Sequence, residues 1–299
     1  MYLKMLTRSA TVAGLLLSLM ALGCGTTHSS ITNPTSTAQI NHVVVVVLEN
    51  HSYSEVIGNS GMPYLNKLAS TYGLATQYYG DTHPSIGNYF MLTTGQIITN
   101  DETSPPATVN ADNIVRELVS SGKTWKSYAE GLPSVGYLGG DVYPYAQHHN
   151  PFVFLSDVQS SAAQQHNVVP FSQFSVDLAG NQLPNFSFVV PNQFDNAHDG
   201  SLTQADSWLN QNIAPLVSSS LFQKDGLLII LFDESDFTDL ANVGGHTVAV
   251  VVSPFAKKNY QSTTLYQHQN TLHFVLSSLG VPNYPGLSAV AQNMSEFLQ

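Results

Sequence analysis

The sequence predicts an α/β fold: a three-layer sandwich in which helices cover both faces of a mostly parallel central sheet. Three observations carry this expectation. Apolar, largely β-branched runs at residues 43–48, 226–232 and 248–252 are short and nearly free of polar residues, which is the pattern of strands buried on both faces. Segments between the runs repeat their apolar residues at helical spacing. Several runs also stop abruptly in acids and amides, at the kind of strand end where open α/β sheets bind ligands.

The chain has 299 residues, 43% of them apolar and only 10% charged, enough to bury a large core. Its first 24 residues stand apart. Lys4 and Arg8 precede an apolar run over 12–22 that is too short to span a bilayer, and then comes Cys24, the only cysteine. This is the pattern of an export signal of lipoprotein type, with Cys24 at the position that is acylated. Ala21-Leu22 inverts the usual Leu-Ala order before such a cysteine. Residues 25–40, rich in Ser and Thr, read as a tether, and 41–299 as a single domain. The expected address is a bacterial cell envelope or the medium, with membrane contact only through the lipid anchor.

Beyond the leader the chain carries 7 basic side chains against 20 acidic, formally −13, and Arg116 is its sole arginine. Nucleic-acid binding needs a basic footprint and is excluded on this balance. Any phosphate would have to be held by a metal ion, helix N-termini and histidines rather than by an arginine cluster. Composition does not define an oligomeric state.

In chain order, the opening strand runs into Glu49-Asn50-His51, which reads either as a plain strand-to-loop boundary or as one side of a site. Met62, Leu65, Leu68, Ala69 and Tyr72 mark a covering helix with Gly73 as its stop. Pro84 bars His83 from a helix, and the apolar run 86–92 closed by Gly95 then places Ser85 at a helix N-terminus. There Ser85 is either an ordinary N-cap or a nucleophile favoured by the helix dipole and free N–H groups. A helix over 111–121 follows. Residues 124–182 lack periodicity and include His148-His149-Asn150-Pro151, a pair of histidines suited to anion or metal handling. A strand over 185–190 ends in a segment holding Asn192, Asp195, His198 and Asp199, and Asp199 or Ser201 would cap the next helix. The strand 226–232 ends in Asp233-Glu234; the strand 248–252 follows His246; His268 leads into the last helix.

In a parallel sheet these strand ends share one edge, so at least four carboxylates would gather there, at a heavy cost in repulsion unless a cation is bound. Oxygen donors with an occasional histidine suit one divalent ion among Mg²⁺, Ca²⁺, Mn²⁺ and Zn²⁺. The same ion would lower the pKa of a neighbouring hydroxyl.

Taken in order, LENHSY, THPSIGNYFMLTTG, the HNPF at His149, VVPNQFDNAHDGS, LFDES and the YQHQNTL at His268 resemble the phosphoesterase family of secreted acid phosphatases and phospholipases C. That family belongs to the alkaline phosphatase superfamily, and the resemblance spans about His42 to Val281. SIGNYFMLTTG also resembles the TFPNHYSLVTG-type segment of nucleotide pyrophosphatases. The resemblance implies an alkaline phosphatase-like fold, Ser85 as nucleophile and Asn88 as a phosphate-binding amide. It implies a metal among Glu49, Asn50, Ser85, Asp233 and Glu234, with Asn50 also facing substrate. His149 and His198 would be pocket histidines that bind phosphate or protonate the leaving group. Many relatives have Asp-Asp where this chain has Asp233-Glu234. Asp195, His246 and His268 offer only a partial second metal site, so one ion is expected.

The activity implied is that of an acid phosphatase working on phosphate monoesters, phosphoinositides included, through a phosphoserine. Relatives of phospholipase C type carry longer chains, which places a phosphodiesterase second. A lipid-anchored binding protein without turnover is the third reading.

Overall fold

The computed structural model describes residues 39–299. The expected leader over 1–24, its Cys24 and all but the last two residues of the tether lie outside them. Eight strands form one sheet in the order β4-β3-β5-β1-β6-β7-β2-β8. They are β1 (His42–Leu48), β2 (Gly73–Tyr79), β3 (Trp125–Ala129), β4 (Val168–Pro170), β5 (Phe186–Val190), β6 (Gly226–Phe232), β7 (His246–Val252) and β8 (Tyr260–Ser262). The principal helices are α1 (Pro63–Thr71), α2 (Ser85–Thr94), α3 (Ile114–Ser120), α4 (Ser172–Ala179), α5 (Leu202–Asn212) and α6 (His268–Ser278).

The valine run of β1 forms the middle of the sheet because both of its faces are covered. Val43, Val45 and Val47 belong to one core layer with Ile86, Tyr89 and Phe90 of α2 and Leu272, Val275 and Leu276 of α6. Val44, Val46 and Leu48 belong to the opposite layer with Leu65 and Leu68 of α1 and Trp208 and Leu209 of α5. Successive side chains of a strand point to opposite faces, so a continuous apolar run requires this double covering. β1 pairs parallel with β5 on one side and with β6 on the other.

β7 is the exception to parallel pairing. It runs antiparallel to both β6 and β2, so the segment 233–245 turns back at the same sheet edge without crossing a helical layer. The ends of β1, β5 and β6 all open onto that edge, as does the segment Gly80–Ser85 that follows β2. Two glycines let the loops meet there. A Cβ on Gly80 would stand 2.6 Å from the Gly244 carbonyl oxygen and 3.0 Å from that of Asp233, and Gly245 has φ +75°.

Some local expectations change. Gly73 does not stop α1 with a left-handed turn; it opens β2, where Phe297 packs against it. α5 ends with Ile213 as its C-cap, ahead of Pro215, and a short helix follows at Ala214–Ser218. Ser201, not Asp199, caps α5 by accepting from the Gln204 N–H. Residues 124–182 hold two strands, β3 and β4, beside several short helical turns.

Candidate active site

Ser85 is the first residue of α2, and Pro84 occupies the cap position without a side-chain cap. The serine hydroxyl is therefore free of capping duty, and it points into a buried cluster of acids. Its Oγ lies 3.0 Å from Glu49 Oε2 and 3.4 Å from Glu234 Oε1. The Asn50 carboxamide comes within 3.2 Å of it. Turned with its nitrogen inward, that carboxamide donates to Glu49 Oε2 at 3.0 Å, to Asp233 Oδ1 at 3.2 Å and to Ser85 Oγ at 3.2 Å. Asn50 has φ +51°, a left-handed conformation that asparagine tolerates, and this aims its side chain back over the end of β1.

Glu49, Asp233 and Glu234 are fully buried. Burial, followed by the charge of Asp233, holds the Glu49 carboxyl well above the usual carboxylate range. Asp233 is raised by burial and by Glu234, and Glu234 by burial. Asp233 Oδ2 is buried with no hydrogen-bond partner. Three packed carboxyls and an orphaned oxygen are the chemistry of a cation-binding donor set. The donors bracket the serine hydroxyl, but among the described residues no group of three or more His, Cys, Asp or Glu side chains is arranged to hold a metal ion.

A second tier of residues fixes the acids. The Tyr89 hydroxyl donates to Glu49 Oε1. His149, buried beside it, stacks on the Tyr89 ring at 5.0 Å and holds Nδ1 3.4 Å from Glu49 Oε1. Its Nε2 is buried without a partner. Burial and the neighbouring His148 and His198 push His149 well below the ordinary histidine value. Its surroundings favour neutral imidazole. His83 stands 3.0 Å from Glu234 Oε2, its ring against Phe237, and that contact raises its pKa.

His198 Nδ1 lies 2.8 Å from Asp199 Oδ1, and Tyr143 OH donates to the other oxygen of Asp199 at 3.0 Å. The His198 and His149 rings are 6.1 Å apart. Asn88 is in the centre, but its amide is already engaged: Oδ1 accepts from the Asp81 and Thr82 N–H groups at 2.8 and 3.2 Å, while Nδ2 donates to the Thr82 carbonyl and to Glu234 Oε2 at 2.8 and 3.2 Å. As it stands, Asn88 shapes the loop before Ser85 and holds Glu234 rather than presenting a free amide.

The candidates for a second metal do not gather. Asp195 accepts from Asn192 and Gln204, both at 2.9 Å. His246 directs Nε2 to the Thr76 carbonyl at 3.0 Å and stacks on Tyr53 and Tyr79. His268 directs Nε2 to the Asp233 carbonyl and Nδ1 to the Tyr78 hydroxyl at 2.9 Å, and burial pushes its pKa down to about 4. A carbonyl can only accept, so His268 carries its proton on Nε2 and anchors the Asp233 backbone. These three residues are bound into the framework.

Sequence reading assigned no role to His83, Tyr89 or Glu102. Each touches the centre: His83 at Glu234, Tyr89 at Glu49, and Glu102 at the Ile86 N–H, 3.2 Å away at the start of α2. His83 stands two residues before Ser85, and that proximity was the available signal. Tyr89 looked like one more apolar residue of a buried helix, and nothing local marks Glu102.

Comparison with known proteins adds independent findings. The model of a family described as "Phosphoesterase family" matches residues 59–282. A phosphatidylinositol-3-phosphatase of Mycobacterium tuberculosis is 36% identical over 196 residues, covering 65% of this chain and 64% of its own. A probable acid phosphatase of Kluyveromyces lactis is 26% identical over 92% of this chain and 66% of its own, and an acid phosphatase of Aspergillus fumigatus is 29% identical over 86% and 58%. The chain thus spans less than two thirds of the length of these relatives. Among solved structures, a lipoteichoic acid synthase from Listeria monocytogenes superposes with a TM-score of 0.61 over 86% of this chain and 76% of its own, at 11% identity. An alkaline phosphatase superfamily protein from Vibrio parahaemolyticus gives 0.59 over 81% and 67%, at 12%. At such identities the likeness is one of fold, and the α/β fold is the one these solved structures share.

Proposed function

The chain belongs to the phosphoesterase family, and from that premise we propose that it is a metal-dependent phosphomonoesterase of acid phosphatase type working through a phosphoserine at Ser85. The observation that carries the reading is a single hydroxyl at a helix N-terminus, buried and within 3.4 Å of two carboxylates on different strand ends. Such an oxygen is positioned for removal of its proton and is kept from bulk water.

The residues that would hold the ion are Glu49, Asn50, Ser85, Asp233 and Glu234, and the fit rests on the unpartnered Asp233 Oδ2 and on three buried acids of which only Glu234 has a cationic neighbour, His83. When bound, one divalent ion supplies charge neutralisation and a lowered hydroxyl pKa. Asn50 can present either end of its carboxamide, nitrogen to the acids alone or oxygen to a cation. Tyr89 and His149 orient Glu49; His83 and Asn88 orient Glu234; His268 fixes the Asp233 backbone. Ser85 attacks phosphorus opposite the leaving oxygen, while N–H groups at the start of α2 face the non-bridging oxygens. His198, oriented by Asp199, protonates the departing alkoxide, and water then releases phosphate from Ser85.

Phosphoinositides are a candidate substrate, a reading supported by the mycobacterial relative's name. We also propose export through the 1–24 leader with Cys24 as lipid anchor, followed by one catalytic domain over 41–299. No helix of the described residues is long and apolar enough to cross a membrane.

The test is turnover of p-nitrophenyl phosphate by protein loaded with divalent ion. Ser85→Ala is expected to lose at least about a hundredfold in kcat, the usual scale for a central catalytic group. Retention of more than a hundredth would remove Ser85 from the nucleophile role. Faster hydrolysis of the bis-ester than of the monoester would favour a phosphodiesterase.

A further inference from the structure

Glu102 lies on the loop between α2 and α3, and its carboxylate accepts from the Ile86 N–H at 3.2 Å. Ile86 follows Ser85, so this is one of the free amides at the helix start, where an anion is favoured by both the dipole and the unpaired donor. The loop is built to hold Glu102 there. Asn100 Nδ2 donates to Thr82 Oγ1 at 2.9 Å, and Gly87 of α2 leaves no room for a Cβ beside Asn100 and Thr82. On the other side of Glu102's neighbour, Asp101 Oδ1 accepts from the Thr103 and Ser104 N–H groups, both at 3.0 Å, and from Thr103 Oγ1 at 2.7 Å.

Among the described residues no lysine or arginine pairs with this carboxylate. Arg116, the one arginine beyond the leader, is bound to Asp157 at 2.8 Å. Elsewhere among the buried residues, on the Glu49 side, His149 is 1% exposed and its Nε2 has no partner.

We propose that Glu102 occupies the seat of one non-bridging phosphate oxygen on the Ile86 N–H, and that displacing this built-in competitor sets the enzyme's affinity for phosphate esters and for released phosphate. The proposal rests on the reading of Ser85 as the phosphate-accepting residue. It makes Glu102 an affinity-determining residue: the substrate's oxygen and the carboxylate share one donor and repel each other, so only one of them is seated at a time.

Calorimetric titration with orthophosphate tests this without turnover, using the full chain supplied with divalent ion and carrying Ser85→Ala. Adding Glu102→Gln removes the charge but keeps an acceptor for Ile86. The phosphate Kd should fall by about fivefold or more, as expected for removing a like charge at close range. Glu102→Ala, which clears the seat, should tighten binding further. With Ser85 intact, KM for p-nitrophenyl phosphate and Ki for phosphate should fall in the same ratio. Thr103→Ala loosens the turn but keeps the carboxylate, and should not tighten binding. An unchanged or weaker Kd in Glu102→Gln overturns the proposal even if the enzyme turns over normally, and so does equal tightening by Thr103→Ala. If no Ser85→Ala form binds phosphate at all, the seat itself is wrong and the proposal falls with it.

Discussion

Replacing Tyr89 by phenylalanine isolates what the second tier does for the site. The substitution keeps the ring that stacks on His149 and deletes only the hydroxyl that donates to Glu49 Oε1. Glu49 is fully buried, its other oxygen faces Ser85 and Asn50, and no water can replace the lost donor without opening the core. A hydrogen bond to a charged acceptor contributes about 1.5–3 kcal/mol net. For a domain of this size that corresponds to a fall in Tm of roughly 2–4 °C per kcal/mol, or about 3–12 °C in all. The same deletion removes an interaction that lowers the Glu49 pKa, so ionising the ligand becomes harder and divalent-ion affinity should fall by about ten- to a hundredfold. Urea unfolding gives the first quantity and calorimetric titration with Mg²⁺, Mn²⁺ or Zn²⁺ the second. If Tyr89→Phe shifts stability by less than about 0.5 kcal/mol and leaves ion affinity intact, Tyr89 is only a packing residue and the account of the second tier fails.

Two further outcomes concern the framework. Asn113 caps α3 by accepting from the Arg116 N–H and also donates to Asp157 at 2.8 Å, so Asn113→Ala should cost about 1–2 kcal/mol by urea titration; a loss below a few tenths would refute the cap. Asp177 titrates low because hydrogen bonds from Lys126, Tyr128 and Gln173 outweigh the opposing effect of burial. Its folded pKa lies below the unfolded one, so its stabilisation is complete above about pH 4 and disappears as pH falls through the folded value. Asp177→Asn should flatten the acid limb of a stability–pH curve, and an unchanged limb would show that other carboxylates govern it.

How much of this was legible depended on how local each signal was. The β1 valines carry their own proof, since a run apolar at every position has to be covered twice. Ser85 was placed by Pro84 and Gly95, residues whose backbone preferences act within a few positions. β2 and β3 were not visible: GLATQYY begins with a glycine that mimics a helix stop, and WKSYA has too few apolar residues to stand out. The reversal of β7 was equally hidden, because a buried strand of valines reads the same in either direction. At the candidate site, Glu49, Asn50, Asp233 and Glu234 at strand ends were legible as residues that come together, while His83, Tyr89 and Glu102 join them only through tertiary contact. Asn88, His246 and His268 show the converse, with chemically suggestive side chains whose bonds go to the framework.

The antiparallel return from β6 to β7 has a consequence for altering specificity. The segment 233–245 begins and ends at the sheet edge that carries the candidate site, and it exposes Phe237, Leu240 and Val243 to solvent. Its first two residues are fixed by the end of β6 and by the glycine contacts with Gly80, but the stretch from Asp236 to Val243 bears no helix or strand. Loops of that kind change length readily while the scaffold stands. A combinatorial library restricted to it, with Asp239 kept because its carbonyl meets His83 Nε2 at 3.1 Å, would recast the wall that Phe237 forms beside His83.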